Sequence, residues 1–476
     1  MSPSRCKGSE PGLMPKRLPT GYSESLGTND SWKEKKFESF VDHSKGKGGK
    51  TFAQYYLENK QYYNPQRPML FLGVNAMSPL PASPQVEEMA DAAKAFGAWM
   101  IILERRYIGK SLPTNEYSVA TLTKFFTEQQ TVEDVALFGE KMKNEIPGLK
   151  IILFGCSSGG TTAALARKYH PNIFDGAVVS SAVFKFKLEF QEYVEVIAED
   201  LKNPRLEGSS ECLTAITAAH AKIGEMFGSK EGRQQLETMF GLVSGDLDDP
   251  AVRTDFSYLG QLLGINLQYN DPQCKDDYCN IEKICKRFAE GTESPLIKLI
   301  NVYATNMDYP YGESLATSLR ELVNLLKNEK SAGKQRMLHF RICSGRALFM
   351  PCVSGSCPFF TGKEYDWVEF GLWLCREGLG IKKEDVQRMG VFWQENILKG
   401  IADFQAYVGD FRGVTHVLSI NGDADPWYPA SITQGGHGPD VEMLPDATLF
   451  VAPLATDRGS CVRVWGMGRE MQIMAR

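Results

Sequence analysis

The 476-residue sequence has no run of the roughly 18 apolar residues that a membrane span requires, which argues against a spanning helix. Charge of one sign is also scarce. A net charge of −5 leaves no basic footprint for nucleic acid and too little acidity to name a cationic partner. No Cys-x-x-Cys pair occurs among the 11 cysteines, so the paired spacing of a zinc site is missing and neither metal nor other cofactor is expected. Residues 1–50 are rich in Ser, Gly, Lys and Pro and lack the apolar core of a secretory signal, so read literally the chain is not exported. There is no internal repeat.

What is present describes a folded protein. A hydrophobic content of 43% and a charged content of 23% are ordinary for globular chains and exclude disorder or low complexity. The length favours two domains, or one large domain carrying an insertion. Cysteines crowd at Cys274, Cys279 and Cys285 and again at Cys343, Cys352, Cys357 and Cys375, as in proteins of oxidising compartments, with the pairing left open.

Four short apolar runs predict buried strands: Pro68 to Leu72, Trp99 to Leu103, Lys150 to Phe154 and Thr415 to Ile420, with a fifth over Asp175 to Ser181. Helical spacing at Val86 to Ala95 and Val132 to Lys143 falls between them. Alternating strands and helices imply a mostly parallel sheet covered on both faces. From about Phe186 the pattern turns to long amphipathic helices, such as Cys212 to Met226 and Glu231 to Met239. A helical insertion within one sheet follows.

The strongest chemical signal is Gly155-Cys156-Ser157-Ser158-Gly159-Gly160, a Gly-x-Ser-x-Gly nucleophile elbow between the strand Ile151 to Phe154 and a helix beginning near Thr161. A plain Gly/Ser turn is the alternative. In an elbow, small flanking residues let the chain turn sharply while the serine Oγ projects, and the backbone N–H of Ser158 helps to hold an oxyanion. A second signal, Asn421-Gly422-Asp423-Ala424-Asp425-Pro426-Trp427, follows the last apolar strand, where an acid orients a catalytic imidazole. Taken by itself it reads equally as a turn.

Together these blocks resemble the serine peptidases comprising prolyl carboxypeptidase, dipeptidyl peptidase II and thymus-specific serine protease. The resemblance runs from about Phe37 to Phe450. It includes Phe40-Val41-Asp42-His43, Thr51-Phe52-Ala53-Gln54-Tyr55-Tyr56, and Glu104-Arg105-Arg106-Tyr107-Ile108-Gly109-Lys110-Ser111-Leu112-Pro113. It implies an α/β-hydrolase fold over 37–185 and 341–450, a mostly helical cap over 186–340, a poorly ordered segment over 1–36 and an atypical tail over 451–476. It further implies Ser157 as nucleophile, Asp425 as triad acid, Ser158 at the oxyanion hole, peptide substrates containing proline, a lysosomal or secreted location, and compatibility with a homodimer.

The sequence departs from the family pattern in three places. Ser460, in Thr456-Asp457-Arg458-Gly459-Ser460-Cys461, stands where the family has its triad histidine. Beyond Asp425 the one histidine is His437, in a Gly-rich loop, and a solvent-exposed loop residue is its simpler reading; His416 is expected to pack inside the last strand. The fit stops abruptly after Phe450, as an altered reading frame, a retained intron or alternative splicing would make it. Gly73-Val74-Asn75-Ala76-Met77-Ser78-Pro79 replaces a Gly-Gly-Glu-Gly-Pro-like loop, and Arg105 replaces a histidine. Two functions are therefore expected as alternatives: a serine exopeptidase acting next to proline, or an inactive relative that binds peptides or a partner protein.

Overall fold

The computed structural model describes residues 32–81, 87–270, 274–275, 277–306, 314–331, 333–379, 393–411, 413–422, 424–431 and 448–452. The chain divides into two compact units. One contains the sheet and is assembled from Ser25–Leu188, Asn328–Leu348 and Lys383–Arg476. The other, among the described residues, is helical and comes from Glu189–Lys327 and Phe349–Lys382. The second of those stretches lies beyond the 186–340 span that the helical patterning suggests.

The sheet has eight strands: β1 (Lys33–Phe40), β2 (Thr51–Asn59), β3 (Met69–Val74), β4 (Trp99–Leu103), β5 (Lys150–Cys156), β6 (Gly176–Ser180), β7 (Val417–Gly422) and β8 (Thr448–Ala452). Their order is β1-β2-β4-β3-β5-β6-β7-β8. Strand β2 is antiparallel to both its neighbours, and every other pairing is parallel. One reversed strand beside a parallel set is the arrangement of the α/β-hydrolase fold. Helices α1 (Glu87–Phe96), α2 (Val119–Phe125), α3 (Glu128–Glu145) and α4 (Ser158–Tyr169) connect strands β3 to β6 in turn.

The five strands expected from apolar runs are present within two residues of their expected bounds. Strands β4 and β6 are buried at every position, because helices cover both faces of a parallel sheet. Alternate residues serve opposite cores. Leu70, Leu72, Ile101, Ile151 and Leu153 pack with Phe138 of α3 and Leu165 of α4, whereas Phe71, Met100, Phe154 and Val178 pack with Met89 and Ala93 of α1. His416 is a correction: it precedes β7, is exposed, and adopts φ 58° instead of packing inside the strand. Its carbonyl still accepts from the Ala177 N–H at 2.9 Å.

The helical unit contains α5 (Glu192–Lys202), α6 (Ser210–Phe227), α7 (Lys230–Phe240), α8 (Pro250–Ser257), α9 (Leu259–Tyr269), α10 (Ile281–Ala289), α11 (Pro295–Asn306), α12 (Leu315–Lys327) and α14 (Trp367–Gly378). Helices α13 (Lys334–Arg341) and α15 (Trp393–Val408) belong to the sheet unit. Disulfides join Cys212 to Cys285, Cys274 to Cys279 and Cys352 to Cys357, so the crowded Cys274, Cys279, Cys285, Cys352 and Cys357 are bridged.

Candidate active site

Strand β5 ends at Cys156 and α4 begins at Ser158, so Ser157 alone reverses the chain between them. Its backbone stands at φ 53° and ψ −129°, a region that a residue with a side chain occupies only when its surroundings impose it. Here they do. The Ser157 N–H donates to the Ser180 carbonyl at 2.9 Å, and its own carbonyl accepts from the Thr161 N–H at 3.2 Å.

The glycines of the motif are a steric necessity of this turn. A Cβ on Gly155 would lie 2.4 Å from the Gly159 carbonyl oxygen, and one on Gly159 would lie 2.3 Å from the Val74 carbonyl oxygen. Gly160 is equally hemmed in, with a Cβ 2.9 Å from the Gly155 carbonyl oxygen. The elbow is therefore pressed directly against the loop that follows β3. Ser158 opens a 12-residue helix, where unpaired N–H groups and the helix dipole favour negative charge.

Asp425 lies three positions past the end of β7 and is wholly buried. The Trp427 N–H donates to its Oδ1 at 2.9 Å, while the Asp425 N–H donates to the Gly422 carbonyl at 3.3 Å. The pairing aligns Cys156, Ser180 and Ile420 in one row across β5, β6 and β7. Ser157 and Asp425 thus both lie beyond the carboxyl ends of strands separated by two ladder steps of about 4.8 Å each. His437 and Ser460 lie outside the described residues. The five described histidines are engaged as follows: His43 with Asp134, His170 with Glu133, His220 with Tyr303, His339 with the Gln335 carbonyl and His416 with Arg167.

The Glu104 to Ser111 block resolves into three separate anchors that sequence reading did not assign. Glu104 Oε2 accepts from the N–H groups of Lys110 and Ser111, both at 2.9 Å, and from Ser111 Oγ at 2.6 Å. Gly109 is required because at φ 57° a Cβ would sit 2.0 Å from Glu104 Oε1. Arg106 donates twice to Asp134 at 2.6 Å and also to the carbonyls of Phe40 and Val41, so two distant sequence blocks form one network. Arg105 donates to Glu128 at 2.9 Å and to the Ser158 carbonyl at 2.8 Å.

Glu128 also accepts from Arg341 at 3.0 Å, from Arg346 and from Thr162. Burial alone would raise its pKa, but the guanidiniums of Arg105, Arg346 and Arg341 more than reverse this and hold it down to about 2. Among the described residues, no cluster of His, Cys, Asp and Glu could hold a metal ion.

Residues 39–447 match the family described as serine carboxypeptidase S28. A Caenorhabditis elegans protein named as a serine protease is 26% identical, covering 94% of this chain and 88% of its own length. The thymus-specific serine protease of Mus musculus is 26% identical over 90% of this chain and 83% of its own. The lysosomal Pro-X carboxypeptidase of Homo sapiens is 23% identical over 88% and 82%. With the match spanning most of the chain, and an α/β-hydrolase sheet carrying a strained serine at its elbow, the protein belongs to the serine carboxypeptidase S28 family of serine-type peptidases.

Proposed function

We propose that the chain is an exopeptidase that cleaves peptides beside proline through an acyl-enzyme on Ser157. Ser157 Oγ attacks the scissile carbonyl and gives its proton to a histidine base that Asp425 orients. The Ser158 N–H holds the oxyanion, and the leaving amine takes the proton. The location is lysosomal or secreted. One observation carries the reading: the strained backbone of Ser157, a conformation maintained at a strand-to-helix junction.

Ser460 at the position of the family histidine favours a second reading, an inactive relative that binds peptides or a partner protein without turnover. The test is a biotinylated fluorophosphonate with peptide mapping, alongside Pro-X hydrolysis at pH 5 to 7. Label on Ser157, abolished in Ser157→Ala, is the expected result if a base is present; hydrolysis that survives Ser157→Ala overturns the reading. Slow or absent labelling that Ser460→His restores identifies a missing base, because a serine without one loses on the order of 10³-fold. Ordinary turnover that His437→Ala abolishes makes His437 the base.

A further inference from the structure

Three guanidiniums surround the one carboxylate of Glu128, and two of them arrive from a single distorted turn. Arg341 directly precedes the π-helical segment Ile342–Arg346 and Arg346 ends it, and the kink at Gly345 within it accompanies the approach of both to the same oxygen. Gly345 holds this turn at φ 130°, where a Cβ would stand 2.5 Å from the Gly400 carbonyl carbon of α15. Arg346 rests over the rings of Phe186 and Phe404, at 5.1 and 4.4 Å. Stability alone gives no reason for three cations around one anion, since burial and mutual repulsion both work against them.

The cluster reaches two backbone segments at once. Arg105 Nη1 donates to the Ser158 carbonyl at 2.8 Å, fixing the residue that directly follows the nucleophile. The Arg105 backbone N–H, whatever its side chain, donates to Asn75 Oδ1 at 3.0 Å, and Arg341 donates to Met77 Sδ at 2.7 Å, so the guanidinium cluster reaches the loop after β3 through Arg341. In this fold, oxyanion donors come from those two places, the residue after the nucleophile and the loop after the third strand. We propose that Arg105, held by Glu128 and backed by Arg341 and Arg346, is a positioning residue that sets the spacing between the two walls of the oxyanion site. The inference rests on Ser157 being the nucleophile.

Arg105→Met is the decisive variant, because Arg341 and Arg346 still neutralise Glu128 and the chain keeps its fold. Two readouts are taken on the full chain. Hydrogen exchange of the amides over 157–162 reports the elbow whether or not the protein is active, and fluorophosphonate labelling of Ser157 reports its chemistry. The expected result is faster exchange at the elbow and labelling slowed on the order of 10- to 100-fold, the scale on which small misplacements act, with thermal unfolding little changed. Arg105→Lys, which reaches one partner but not both, recovers part of each loss, and Glu128→Gln repeats both with a larger drop in stability. Unchanged exchange and labelling in folded Arg105→Met overturn the proposal. If neither the unmodified chain nor Ser460→His labels at Ser157, the catalytic reading fails, and the exchange result still decides whether Arg105 sets the elbow.

Discussion

Asp255 in α8 is buried, and its Oδ2 has no hydrogen-bond partner among the described residues. Burial pushes its pKa up to about 8. An unfolded aspartate titrates near 3.9, so the folded state binds the proton more tightly, and stability falls as pH climbs from about 4 to about 8. The ceiling of this loss is ~4 kcal/mol at pH 7. Asp255→Asn is therefore expected to raise the melting temperature at pH 7.5 and leave it unchanged at pH 4. Calorimetry at the two pH values checks this; an equal shift at both rejects the titration. Ser157 was legible in the sequence because the turn it makes admits only glycine at fixed offsets, so geometry writes itself into a short motif. Arg105 was legible as a departure from a pattern but not as a contact, since its partner Glu128 and that partner's other cations are far apart along the chain.

At the scale of elements, strands buried on both faces showed themselves as apolar runs, and β1, β2 and β8 towards the two edges were not read from them. Edge strand β1 reads Lys-Glu-Lys-Lys-Phe-Glu-Ser-Phe, with only Phe37 and Ser39 buried, because an edge is protected from pairing by charge. Strand β2 alternates Phe52, Gln54 and Tyr56 inward, and the buried Gln54 broke the hydrophobic rhythm while donating to the Glu104 carbonyl at 2.7 Å. The Cys212–Cys285 bridge ties α6 to α10 across 73 residues. Closing a loop of that length restricts the unfolded chain, so Cys212→Ser with Cys285→Ser is expected to cost about 2–4 kcal/mol. Denaturant titration with and without reductant checks it: the double variant should lose sensitivity to whatever part of the reductant effect this bridge carries.

For the whole molecule, the fold class was legible because strand and helix signals alternate, but the partition was not, since contacts rather than sequence order define it. The helical unit takes α14 from beyond a return to the sheet unit. Helix α14 packs closely on α12, where a Cβ on Gly378 would lie 2.5 Å from Leu326 Cδ1. A fragment ending at Lys327 is thus expected to unfold without cooperativity. Adding residues 349–382 through a short linker should restore a sharp transition, and a cooperative shorter fragment would contradict this.

The pairing of β6 with β7 also has a consequence in time. About 240 residues separate these neighbours, and a ribosome adding roughly 5–20 residues per second needs some 10–50 s to deliver the second after the first. Throughout that interval the five residues Gly176–Ser180, all buried in the finished protein, form an open sheet edge able to pair with other chains. Protection of one strand during synthesis is therefore expected to matter for yield alongside the stability of the finished sheet.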